Sequence, residues 1–122
     1  MILPDVNVLV YAHREDVVRH TEYRDWLGQR INGDEACGVS DQVLSGFLRV
    51  VTHPRVFATP TPLGRALEFA EAVRGGAPCV SIAPGDRHWD LFTRLCTDVD
   101  ARGNLIPDAW FAALAIESGS EW

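Results

Sequence analysis

Two aspartates lie close to opposite ends of this chain, each beside a run that otherwise reads as core. Asp5 falls in "MILPDVNVLVYA", with Asn7 two residues on, and Asp108 falls in "IPDAWFAALAIESG". A carboxylate after an apolar strand either caps the helix that follows or lines a site, and the residues alone leave both readings open for Asp5. Asp108 can complement the dipole of its helix, worth about 0.3–1 kcal/mol, or face the same pocket. Two carboxylates in one pocket repel unless a cation or a proton intervenes. Oxygen-only ligands favour Mg²⁺ (or Mn²⁺) over zinc. Such a metal can hold a phosphodiester, acidify a bound water and stabilise a leaving oxygen. Asn7 cannot replace a carboxylate's charge. It can cap the helix, orient a carboxylate, or hydrogen-bond a phosphate or a water.

The remaining composition narrows the chemistry. The four histidines (His13, His20, His53, His88) show no H-x-x-x-H or H-E-x-x-H spacing, which argues against zinc. Cys37, Cys79 and Cys96 form no C-x-x-C pair and read as reduced thiols. All 11 basic residues are arginine. The absence of lysine removes the P-loop, Schiff-base chemistry and the phosphate-clamping lysine of aspartyl-phosphate enzymes. A net charge of −6 argues against a broad basic nucleic-acid surface, while leaving room for a metal and a few arginines. No apolar stretch reaches the roughly 20 residues that span a bilayer, and no signal-peptide pattern opens the chain. A cytoplasmic protein without membrane association is expected, and the 122 residues suit one domain.

The elements that must position these side chains follow from periodicity. "ILPDV" reads as a buried strand ending at Asp5, and "NVLVYAH" as a short helix. Tyr23, Trp26, Leu27 and Ile31 make a helical stripe stopped by Asn32-Gly33. "ACGVS" is a second strand. Ser40 caps a helix with Val43, Leu44, Phe47, Leu48 and Val51 on one face, ended by Pro54. Thr61 is the expected N-cap and Pro62 the first residue of a helix carrying Leu63, Ala66, Leu67 and Ala70, terminated at Gly75-Gly76. "PCVSIAP" is a third strand. Asp86 caps a helix whose expected stripe is Trp89, Phe92, Cys96 and Val99, and Pro107 opens the last helix. Trp26, Trp89 and Trp110 read as core or dimer packing. Strands alternating with helices indicate an α/β domain on a parallel sheet, whose sites lie at the carboxyl ends of the strands. Asp5 is at such an end.

The D-x-N at the end of the first strand resembles the opening of PIN-domain ribonucleases, in particular VapC-type toxins of toxin–antitoxin pairs. "VLSGFLRVVTHPRVF" resembles the second conserved helix of an actinobacterial branch, and "GNLIPDAWFAALAIESG" the helix with a further metal-binding aspartate. The resemblance implies a PIN-like α/β/α sandwich with a central parallel sheet over residues 1–122. It implies a Mg²⁺-dependent endoribonuclease that hydrolyses RNA phosphodiesters of the tRNA or rRNA class. A homodimer and a cognate small antitoxin come with it. Asp5 and Asp108 would be metal ligands, and Asn7 a helper near the scissile phosphate or the water. Arg14, Arg19, Arg49 and Arg55 could contact RNA or antitoxin, although solvated surface is the simpler expectation for each.

Two departures accompany the resemblance. Gly46 stands where many PIN domains carry a glutamate, a substitution usual in this branch. Asp41, five residues earlier, is about 500° around the helix and faces elsewhere. The family pattern also continues past "SGSEW" into a strand and an acidic pair, so the resemblance implies that this strand and a site carboxylate are missing. A competing reading is therefore a catalytically weak or inactive module that only binds antitoxin or RNA. A phosphatase using Asp5 as nucleophile is disfavoured by the missing lysine and by Asn7 where a second aspartate is expected.

Overall fold

A computed structural model describes residues 1–120. Its elements in chain order are α1 (Val6–His13), α2 (His20–Asn32), β1 (Cys37–Val39), α3 (Asp41–Val51), α4 (Leu63–Arg74), β2 (Cys79–Ser81), α5 (His88–Asp98) and α6 (Leu105–Ser118). β1 and β2 are parallel, with Cys37 opposite Cys79 and Val39 opposite Ser81. Ile2 bridges Cys37 in parallel on the other side, and Gly38 donates its N–H to the Ile2 carbonyl at 2.7 Å. β1 is thus the middle of the sheet. All its residues are buried, as a parallel strand covered on both faces requires. β2 is the half-open edge, with Val80 and Ser81 exposed.

The helices bury the stripes that their spacing dictates. Val43, Leu44, Phe47 and Val51 of α3 are buried, and the Ser40 hydroxyl accepts from the Val43 N–H at 3.5 Å. From α6, Phe111, Leu114 and Ala115 join the same core cluster as Leu3, Leu9 and Phe47. α6 ends at Gly119, whose φ of 67° is the left-handed cap that glycine adopts without a Cβ penalty.

Several expected boundaries moved. The first strand reduces to the Ile2 bridge, because Asp5 is already the N-cap of α1 and too few residues precede it to pair further. Thr61 does not cap α4. Its buried hydroxyl instead meets His13 Nε2 at 3.1 Å and Arg14 Nη1 at 3.3 Å, and α4 starts two residues later with Pro62 at its N-cap. Asp86 does not cap α5, which begins after Arg87. α6 begins at Leu105, so Pro107 lies within the first turn, where its missing N–H has no helical partner to lose.

The largest correction concerns α5. Trp89 is 66% exposed and Val99 60% exposed, while His88, absent from the expected stripe, is 3% exposed. The imidazole is satisfied there: Nε2 pairs with the Trp110 carbonyl at 2.9 Å, and the ring packs on Phe92 and Trp110. The principal neighbour of α5 is α6, so among the described residues one side of α5 stays open. Trp26 and Trp110 do pack on the core; Trp89 does not.

Candidate active site

Asp5 is half-buried and does both things the sequence left open. Its Oδ1 accepts the Val8 N–H at 3.2 Å, capping α1. The same residue lines a cavity of about 650 Å³ together with Asn7 and Asp108. Asp108 sits in the first turn of α6, so the two carboxylates come from the amino ends of two helices. Helix amino ends favour negative charge, which eases the juxtaposition and suits a phosphate nearby. Asn7 and Asp108 are exposed to solvent. The loop before α6 turns through Asp100 (φ 49°) and Gly103 (φ 54°), and this delivers Asn104 to the same cavity.

The facing wall is α3. Gln42, Ser45, Gly46 and Arg49 line the cavity at spacings of three and four, one face of a helix. Gly46 is there because the helices touch. A Cβ at this position would lie 2.9 Å from Cγ2 of Val6, the residue between Asp5 and Asn7. Any side chain at 46, glutamate included, would press on the segment that holds the site. Asp41 faces away, as its helical angle predicts, and pairs with Arg74 at 2.8 Å; that guanidinium holds its carboxyl below the ordinary range.

Sequence reasoning missed Ser45, Gln42 and Asn104. The first two could have been found by continuing the helical face of Gly46 and Arg49 back toward Ser40. Asn104 had no such signal, since the α5–α6 loop decides its placement. Of the arginines, only Arg49 lines this cavity. Arg14 corrects the expectation of solvated surface: its side chain is 12% exposed. It donates to the Thr59 carbonyl at 2.8 Å and pairs with Asp16 at 2.6 Å, and its guanidinium lies 4.0 Å from the Phe57 ring centroid.

That guanidinium belongs to a second cavity of about 300 Å³ at the opposite end of α1, lined by His13, Arg14, Thr61 and Arg65 among others. Here His13, Arg14, Asp16 and Thr61 bond to one another, while Arg65 has no bonded partner among the described residues. Burial, then the nearby Arg14 and Arg65 charges, hold the His13 imidazole below its ordinary value. The thiols stay unpaired, and burial pushes Cys37 up to about 11, so its reactive thiolate is suppressed.

Among the described residues no cluster of three or more histidine, cysteine or acidic side chains forms. The donors of the larger cavity are the Asp5 and Asp108 carboxylates with neutral amides and a hydroxyl, and neither histidine nor cysteine lines it. That oxygen-only set fits a hard divalent cation that keeps several waters, and does not fit zinc.

Comparison with known proteins gives a consistent result. The PIN domain family model matches residues 2–122. The VapC ribonuclease Mb2897 of Mycobacterium bovis is 47% identical over 122 residues, all of this chain and 83% of that protein. Ribonuclease VapC25 of Mycobacterium tuberculosis is 41% identical over 117 residues, covering 96% of this chain and 82% of the relative. Ribonuclease VapC33 of the same species is 31% identical over 121 residues, 99% of this chain and 85% of the relative.

Proposed function

This chain belongs to the PIN-domain family, and we propose that it is a VapC-type endoribonuclease toxin that hydrolyses RNA phosphodiesters with the help of a divalent cation. The observation that carries this reading is the convergence of Asp5, Asn7 and Asp108 on one cavity. In this assignment Asp5 and Asp108 hold Mg²⁺ or Mn²⁺. When bound, that cation supplies a polarised phosphoryl oxygen and an acidified water. The protein's own part is positional. The α1 cap fixes Asp5 through the Val8 N–H to Oδ1, which leaves Oδ2 without a hydrogen-bond partner among the described residues. Asn7 orients the attacking water or a phosphate oxygen by hydrogen bonding. The water oxygen bonds to phosphorus, the P–O3′ bond breaks, and a 5′-phosphate and a 3′-hydroxyl result.

The partners follow from the same assignment: RNA of the tRNA or rRNA class, a cognate small antitoxin, and a second copy of the chain. The exposed Trp89 and the open edge at β2 supply surface for protein contacts. With two carboxylates in the cavity and Gly46 in its wall, the weaker alternative is a module that binds RNA or antitoxin without cutting it.

A cleavage assay separates the two. Mg²⁺-dependent RNA cleavage that Asp5→Asn abolishes is expected. Equal cleavage in excess chelator would overturn the mechanism, and a folded protein that binds RNA without cutting it would favour the module.

A further inference from the structure

We propose that the α3 wall of the cavity is the rail for the RNA backbone, with Arg49 gripping a phosphate next to the one being cleaved. This rests on the endoribonuclease reading above and adds to it the group that holds the substrate. The lining is divided in charge by element: its acids are Asp5 before α1 and Asp108 in α6, and α3 contributes no acid. Gln42, Ser45 and Arg49 share one face of α3, with Gln42 and Arg49 seven positions or about 10 Å apart at 1.5 Å per residue. A phosphate held at the carboxylates of this cavity carries its adjoining backbone past the α3 residues that line the same cavity.

Arg49 is the cation of this cavity, and among the described residues it has no hydrogen-bond or ion-pair partner. Arg14, Arg19 and Arg74 are each paired with an acid; Arg55, Arg65 and Arg94 are not, but none of these lines the cavity, so position sets Arg49 apart. A guanidinium left unpaired beside two carboxylates, presenting a planar fork of donors, suits a phosphate that arrives with the substrate. Ser45 and Gln42 offer a hydroxyl and an amide along the same face, adequate to hydrogen-bond phosphate or sugar oxygens without reading sequence. Arg49 is the one arginine lining this cavity, so its grip should be visible in the salt dependence of binding.

The test measures binding apart from cleavage. Binding of a fluorescent single-stranded RNA oligonucleotide is followed by anisotropy across a salt series, in the Asp5→Asn background, with and without Arg49→Gln. Arg94→Gln, on α5 and outside the cavity, controls for net charge. Removing the grip should weaken binding by about tenfold and flatten the salt slope by roughly 0.7, the value for one phosphate on a single strand. Arg94→Gln should change both far less. In the Asp5-containing protein, Arg49→Gln should raise KM more than it lowers kcat, and Arg49→Lys should recover part of the loss. An unchanged affinity and slope in Arg49→Gln, while the parent still binds and cleaves RNA, would overturn the role of Arg49 alone. A parent that neither binds nor cleaves RNA would overturn the endoribonuclease reading and this proposal with it.

Discussion

The two ends of α1 carry similar ingredients and treat them in opposite ways. At its carboxyl end, His13, Arg14, Thr61 and Asp16 are cross-bonded to one another, and Arg14 is nearly covered. At its amino end, Asp5 is tied to a backbone N–H, while Asn7, Asp108 and Arg49 face an open cavity with no side-chain partner among the described residues. Polar groups that satisfy one another hold a structure together. Polar groups left facing solvent in a cleft are available to something else. On the proposed reading, the difference gives stability to one end and chemistry to the other.

The strongest challenge to this contrast is at Asp5. Asparagine caps a helix about as well as aspartate, so Asp5→Asn should leave the melting temperature unchanged and lower cleavage by about 100-fold or more. Asp5→Ala should lose the same activity and about 1 kcal/mol of stability besides. If Asp5→Asn cleaves normally, the amino end is only a cap. At the other end the signs reverse. Arg14→Ala should cost about 0.5–1.5 kcal/mol in denaturant unfolding, because a partly covered donor network is broken, with activity per folded molecule retained. Lost activity in a folded Arg14→Ala protein would join the two ends functionally and erase the distinction.

Glycines sharpen the comparison on a smaller scale. Gly28 lies in mid-helix, and a Cβ added there would meet nothing within 4 Å, so conversion to alanine should gain about 0.5–1 kcal/mol. Gly46→Ala should forfeit that gain, since the new methyl would meet the stiff Val6 side chain, at a cost of about 1–3 kcal/mol. It should also lower cleavage, because Val6 separates Asp5 from Asn7. Unfolding curves of the two variants beside the parent decide this.

The smallest effect is in pH. His13 is held below its ordinary value by burial first and neighbouring arginines second. The unfolded chain therefore takes up the proton at higher pH than the folded one. Its stabilising contribution is complete above about pH 6.5 and is lost as pH falls from there toward the folded value. His13→Gln should flatten the melting temperature across that interval. An equally steep profile in the variant would place the titration elsewhere.

Much of the framework was legible because its causes are local. The stripe of α3, the Ser40 cap, the Gly33, Gly75 and Gly119 stops, and the strands at Cys37 and Cys79 depend on spacing and backbone freedom. Asp41's outward direction followed from helical angle alone. Where long-range contacts compete with local ones, the reading failed. Thr61 gave up a helix cap for His13 and Arg14, and His88 took the buried place expected of Trp89 because the Trp110 carbonyl satisfies it.

By itself, then, the order of residues determined which segments become helices and strands, and which acids lie at their ends, because capping and periodicity act over a few residues. Only the tertiary structure decided that Asp5 and Asp108, more than a hundred positions apart, share one hollow. It also decided that Arg49 is the arginine facing that hollow while Arg14 is sealed away. Those outcomes depend on how closely α1, α3 and α6 approach, and that distance is set by packing, down to the missing Cβ of Gly46 against Val6.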